Sequence, residues 1–262
     1  MKKNMKVLIE FFRACMVEEL EYRTNFFGNM LTSLFWIVIA VLTVDVFFNQ
    51  TNQLGGWSYY EVLVLLGVFN TINGFIEFAL RQNMARIVDH IRKGTLDYVL
   101  TKPVDSQFFV SFRHLVFWRL ADIFWGCALI VYALAKLGRW PSVLDFVLFL
   151  ILLLAAMVLV YSIWMILMTT SFWFVKIEIL SFIFSSFFET TRFPVQVYKG
   201  WLRILLTFIL PAAFMTSVPS AALTGKWDVA TTVIALLVAL GFFVVSRVFW
   251  KVALKSYTSA SS

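Results

Sequence analysis

The sequence predicts an all-α integral membrane protein with six transmembrane helices. To these it adds an N-terminal amphipathic helix at the interface, a helical connection on the cytoplasmic side and a re-entrant helical hairpin on the outer side. Three observations carry this. Hydrophobic residues make up 61% of the 262 positions and charged residues only 14%, against about 25% charged in soluble domains, which excludes a soluble chain. Uncharged runs recur at the ~20-residue length that crosses a bilayer. Lysine and arginine are shared unevenly between the loops, as orientation in a membrane requires. Six spans take up about 120 residues at that length, leaving no separate catalytic domain, so residues 1–262 read as one transmembrane unit.

A charge at the bilayer centre costs about 2.5–3.5 kcal/mol on insertion scales, so uncharged runs mark the spans. The first is Thr24 to Val44, with the apolar centre Leu34 to Leu42 and an end near Phe48. The second runs from Tyr59 to about Leu80, and the third from Leu115 to about Ala135. Phe146 to Val175 is an uncharged run long enough to cross with a tilt. A fifth segment starts near Ile179, and Val229 to Ser246 is the last, closed by Arg247 and Lys251.

Residues 4–24 precede the first span and differ from it. Met5, Leu8, Ile9, Phe12, Met16 and Leu20 recur at helical spacing, while Lys6, Glu10, Arg13 and Glu18 fall largely elsewhere. This predicts an amphipathic helix lying on the membrane surface or on a face of the same protein. Its acidic residues argue against a cleaved signal peptide.

Orientation follows from the basic residues. With both termini cytoplasmic, the inner segments hold Lys2, Lys3, Lys6, Arg13 and Arg23; Arg81, Arg86, Arg92, Lys93, Lys102, Arg113 and Arg119; Lys176; and Arg247, Lys251 and Lys255. Of the twenty-two Lys and Arg, that leaves Lys136, Arg139, Arg192, Lys199, Arg203 and Lys226 outside. The net charge of +7 is therefore mainly a topology signal addressed to the lipid bilayer, and no nucleic-acid partner is implied.

Two connections are more than loops. In 81–113, Ile87, Ile91 and their charged neighbours suit a short surface helix; Gly94 is placed to end it, Thr95 to cap the next turn and Pro103 to stop a second helix. An ordinary solvated loop is the plainer alternative. In 190–227, Pro194, Pro211 and Pro219 accompany an uncharged stretch from Ile204 to Gly225. A span there would put Arg247, Lys251 and Lys255 outside, and Pro211 and Pro219 would interrupt a regular helix. Half-helices entering and leaving from the outer side resolve both points, beside a kinked seventh span as the alternative.

Polar residues within the spans are few: Asn70, Asn73 and Glu77 on the second and Asp122 on the third, with Asp45 at the outer end of the first. Glu77 and Arg81 are spaced i, i+4, and Arg119 and Asp122 i, i+3, so each carboxylate has a partner on its own helix. Local neutralisation and an ion pathway both fit, but no chain of acidic residues crosses the bilayer. There is no phosphate-binding loop, since Gly225-Lys226 is followed by Trp227, and no H-E-x-x-H or G-x-S-x-G. His90 and His114 have no metal-ligand spacing, and Cys15 and Cys127 imply neither disulfide framework nor metal cluster. Any energy source must be another subunit.

The segment Arg92-Lys93-Gly94-Thr95-Leu96-Asp97 with Leu100-Thr101-Lys102-Pro103 resembles the connection after the second span in ABC type-2 permeases, the membrane subunits of bacterial ATP-binding-cassette exporters. Arg192-Phe193-Pro194-Val195-Gln196-Val197-Tyr198 through Leu210-Pro211-Ala212-Ala213-Phe214-Met215 is similar to a signature before the last span of one subgroup. The resemblance implies a multi-pass protein of the bacterial plasma (inner) membrane in which two permease subunits, identical or paralogous, pair around a central path. Each would dock a cytoplasmic coupling helix, here residues near 84–94 with Arg86, Asp89, His90, Arg92, Lys93 and Gly94, on an ATP-binding-cassette ATPase subunit. ATP and Mg would be bound by that partner, with no cofactor in this chain. The expected activity is export of an amphiphilic, lipid-linked, glycan or hydrophobic compound, without catalytic residues of its own. A lipid-modifying membrane enzyme and an ion-coupled carrier are the alternatives, and Asn70, Asn73, Glu77 and Asp122 make only a thin site for the first.

Overall fold

The computed structural model describes residues 2–21, 23–174 and 178–257. Lys176 and the side chains of Lys2, Lys3, Met5, Lys6, Glu18, Leu20 and Arg23, which enter the sequence expectations, lie outside the described residues. Every long element is a helix: α1 (Lys2–Glu21), α2 (Arg23–Phe48), α3 (Tyr59–Phe75), α4 (Arg81–Arg92), α5 (Leu96–Leu100), α6 (Ser106–Phe112), α7 (Leu120–Leu137), α8 (Val143–Thr169), α9 (Glu178–Thr190), α10 (Gly200–Ile204), α11 (Val218–Leu223) and α12 (Val229–Lys255). Five stretches are long and apolar enough to cross a membrane: Phe26–Phe48, Tyr59–Arg92, Phe117–Leu137, Val143–Phe172 and Val229–Lys255. An uninterrupted hydrogen-bonded helix is the form in which a backbone can enter hydrocarbon.

Two boundaries differ from the sequence expectation. The helix of the second span does not end at Leu80; a π-helical turn, Ile76–Leu80, joins α3 to α4 without a break. No Gly or Pro separates Phe75 from Lys93, so nothing stops the helix until Gly94, whose φ of 67° supplies the left-handed cap. The expected surface helix is thus continuous with the helix of the second span. The fifth segment is short, because α9 has 13 residues, about 20 Å at 1.5 Å per residue. Thr190 and Thr191 turn their hydroxyls back on the carbonyls of Phe187 and Phe188, both at 2.7 Å, and Pro194 follows.

Packing follows rules suited to lipid, where small residues let backbones approach closely. Gly67 and Gly74 on α3 meet Gly126 and Ile123 on α7, and a Cβ built on Gly126 would lie 2.8 Å from the Gly67 carbonyl oxygen and from the Thr71 nitrogen. α12 packs along α8 in the same direction. Trp227, just before α12, donates its indole N–H to Asp145 at the start of α8 (2.7 Å), and Trp250 meets Phe172 beyond the end of α8 at 5.5 Å between ring centroids. The chain between Phe172 and Trp227 therefore returns the full length of α8.

On α1 both proposed surroundings apply, on different faces. Phe11 and Cys15 are buried, Phe11 edge-on to Phe109 at 5.3 Å, while Ile9, Phe12 and Met16 stay exposed. The carboxylate of Glu19 caps the turn Phe117–Arg119, accepting from the N–H groups of Phe117 (2.8 Å) and Trp118 (3.1 Å).

Candidate functional site

Glu77 and Asp122 form one network rather than two separate pairs. Arg119 bridges Glu77 Oε2 and Asp122 Oδ2, each at 3.3 Å, while Arg81 pairs with Glu77. The Ser33 hydroxyl of α2 donates to Asp122, and Arg81 Nη1 donates to Ser185 of α9 at 3.3 Å. Two carboxylates face two guanidiniums, which is what neutralisation of intramembrane charge demands. Glu77 lies on the π turn, a helix form frequent at functional sites. The Asn70 amide donates to the Leu66 carbonyl of its own helix at 2.8 Å, and Asn73 is half-buried a turn further on.

The structure distributes the six expected docking positions around α4 and its cap, because residues 86 and 92 point to different sides of a 3.6-residue helix. Arg86 lines a cavity of about 320 Å³ with Cys15, Glu19, Gln82 and His114. Arg92 borders another, of about 290 Å³, with Ile91, Trp173 and Tyr257. Asp89 pairs with Arg92 at 3.3 Å, and Lys93 is exposed at the helix end. Thr95 makes no side-chain cap, contrary to expectation, because its hydroxyl is engaged by His90 Nδ1 at 2.8 Å. Burial, together with Arg86 and Arg113, pushes the His114 imidazole down to about 4.

Three positions that sequence reasoning did not single out hold this end together. Asn83 is buried and clamps the His114 backbone, donating to its carbonyl (2.6 Å) and accepting from its N–H (2.9 Å). Asp105 caps α6 and takes Arg247 Nη2 of α12 at 2.7 Å, a guanidinium that holds its carboxyl below the usual range. Gln107 donates to the buried Tyr161 hydroxyl at 3.0 Å. The cap at Asp105 was legible as Asp-Ser-Gln-Phe; the partners, contributed by distant helices, were not.

On the opposite side, Pro194 opens the turn Val195–Val197. Pro211 separates the π turn Leu205–Ile209 from the π turn Ala213–Ser217. Pro219 does not interrupt its helix as expected: it lies in the first turn of α11, directly after the second π turn, whose wider bonding accommodates a missing N–H. Thr216 donates to the Thr191 carbonyl at 2.7 Å, tying this region to the end of α9. The loop after α2 abuts it, since a Cβ on Gly55 would lie 2.9 Å from Gln196. Arg192 lies in the turn after α9, and its guanidinium lies over the Phe69 ring of α3, 5.1 Å from the centroid.

Among the described residues no group of three His, Cys, Asp or Glu is placed to hold a metal. Lys226, the lysine after Gly225, binds Glu61 at 2.7 Å. Five membrane-length apolar helices, one running on into a charged end, define a multi-pass integral membrane protein. The family described as ABC-2 family transporter protein matches residues 4–261, and the chain belongs to that family. No curated protein matches the chain.

Proposed function

We propose that this chain is the permease subunit of an ABC exporter, forming half of a translocation path driven by ATP hydrolysis in a separate ATPase subunit. Membership of the transporter family supports the class. The observation that carries the finer reading is the unbroken helix from Tyr59 to Arg92, which joins a membrane span to an exposed basic end at Arg92 and Lys93. A rigid rod of this kind transmits a push at its end to the span, and the π turn at Ile76–Leu80 with its charge network supplies a place to pivot. In this reading ATP and Mg are bound by the partner subunit.

Six net crossings with both termini cytoplasmic fit the path of the chain, because residues 178–227 return it along α8. In this reading α9 crosses the inner part of the bilayer, and residues 200–223 form the outer re-entrant hairpin around Pro211. The path serves an amphiphilic, lipid-linked, glycan or hydrophobic compound, and a second permease subunit completes it.

Purification of the tagged full chain from its native membrane tests this. Recovery of an ATPase subunit, identified by its phosphate-binding loop sequence, is the expected result. Recovery without one, with substrate turnover by the lone chain, would overturn the reading.

A further inference from the structure

The pair Glu189–Arg192, outside the charge network above, has no role in the proposed mechanism. Arg192 Nη2 lies 2.6 Å from Glu189 Oε2, with about a third of the arginine side chain and half of the glutamate side chain exposed. Two helices give its depth. Phe69, beneath the guanidinium, lies about 16 Å along α3 from Ser58 at 1.5 Å per residue. Thr216, bonded to the neighbouring Thr191 carbonyl, lies about 12 Å before Thr224 by the same rise. Both place the pair roughly 12–16 Å in from these helix ends, against a hydrocarbon layer about 30 Å thick. Charges at that depth face a bundle interior or a water-filled cavity rather than lipid tails, so this face of α9 turns toward protein or water.

The guanidinium is only partly used. Its Nε is buried with no hydrogen-bond partner, and Glu189 occupies one edge of a five-donor fork built for anions with paired oxygens. The same face of α9 continues toward the cytoplasmic end with Ser186 and the exposed apolar residues Phe182 and Ile183. A charged receptor thus sits at one end of an apolar strip.

We infer that Arg192 is a binding residue for the phosphate head group of an anionic amphiphile, with Glu189 as the counter-ion that the head group displaces and Phe182 and Ile183 facing its tail. This rests on the permease reading and narrows its substrate class to anionic amphiphiles.

The test is equilibrium binding to the purified full chain in a neutral maltoside detergent, without ATPase, using dodecyl phosphate, inorganic phosphate and dodecyltrimethylammonium as probes. Dodecyl phosphate should bind, with inorganic phosphate at least tenfold weaker and the cation not detectably bound. Arg192→Gln should weaken dodecyl phosphate at least tenfold, the loss of one charge-assisted contact. Glu189→Gln should tighten it several-fold by removing the competitor, a gain that a purely structural ion pair does not give. Arg192→Lys, which keeps the charge without the fork, should fall between and serves if the glutamine variant does not fold. Equal affinity in wild type and Arg192→Gln or Arg192→Lys, weaker binding in Glu189→Gln, or equal binding of inorganic phosphate or the cation would each overturn the proposal. Failure here leaves ATPase association untouched, and an absent ATPase leaves this binding measurement untouched.

Discussion

At the residue scale, the α4 end of the molecule depends on two side chains buried beside charge. Asn83 satisfies both polar groups of the His114 backbone, and Asn83→Ala would leave them unpaired at a cost of about 1–3 kcal/mol. The expected outcome is a lower melting midpoint in detergent, and an unchanged midpoint would show that water replaces the amide. His114 is held down to about 4 by burial and by Arg86 and Arg113, whereas the unfolded imidazole titrates near 6.5. Between those values the unfolded chain binds more protons, so stability rises with pH across the window and is lost on acidification. The melting midpoint should therefore fall between pH 7 and pH 5, and fall less in His114→Asn. The Asp105–Arg247 pair acts lower: a carboxyl held below its ordinary value loses its contribution only as pH drops beneath about 4.

Elements were legible where one segment carried its own signal. α2, α8 and α12 are long apolar runs, and the Gly94 cap was readable because its residue type fits one backbone conformation. What sequence could not supply was partnership: Arg119 on Glu77, Ser33 on Asp122 and Asn83 on His114 join elements far apart in the chain. Nor did composition distinguish a span that stops at Leu80 from one that runs on to Arg92, since charge alone does not end a helix. The close approach of α3 and α7 makes a direct prediction. Gly126→Val drives a side chain into the Gly67 carbonyl and Thr71 nitrogen and should destabilise by about 1–3 kcal/mol. Gly241→Ala on α12, with nothing within 4 Å, should be neutral or gain up to about 1 kcal/mol of helix propensity. Thermal unfolding in detergent compares the two, and equal effects would contradict the packing account.

For the whole molecule, six segments of hydropathy in the sequence become five membrane-length helices and a short α9 whose return path includes the broken region around Pro211. The basic residues that the sequence assigns mainly to topology include two, Arg81 and Arg119, in a network neutralised between helices, and two, Arg92 and Lys93, at the exposed end of α4. The central claim is that force enters there from an ATPase. Charge reversal at Arg92 and Lys93 together should abolish ATPase association or coupled transport while leaving membrane insertion intact, read by co-purification and by turnover in vesicles. The most direct measurement is a photo-crosslink from a reactive residue at position 93 in native membranes, compared with one at Lys199. The account predicts capture of a subunit carrying a phosphate-binding loop from position 93 and none from position 199. Capture of that subunit from 199, or its absence from 93 in a membrane that still transports, would contradict it.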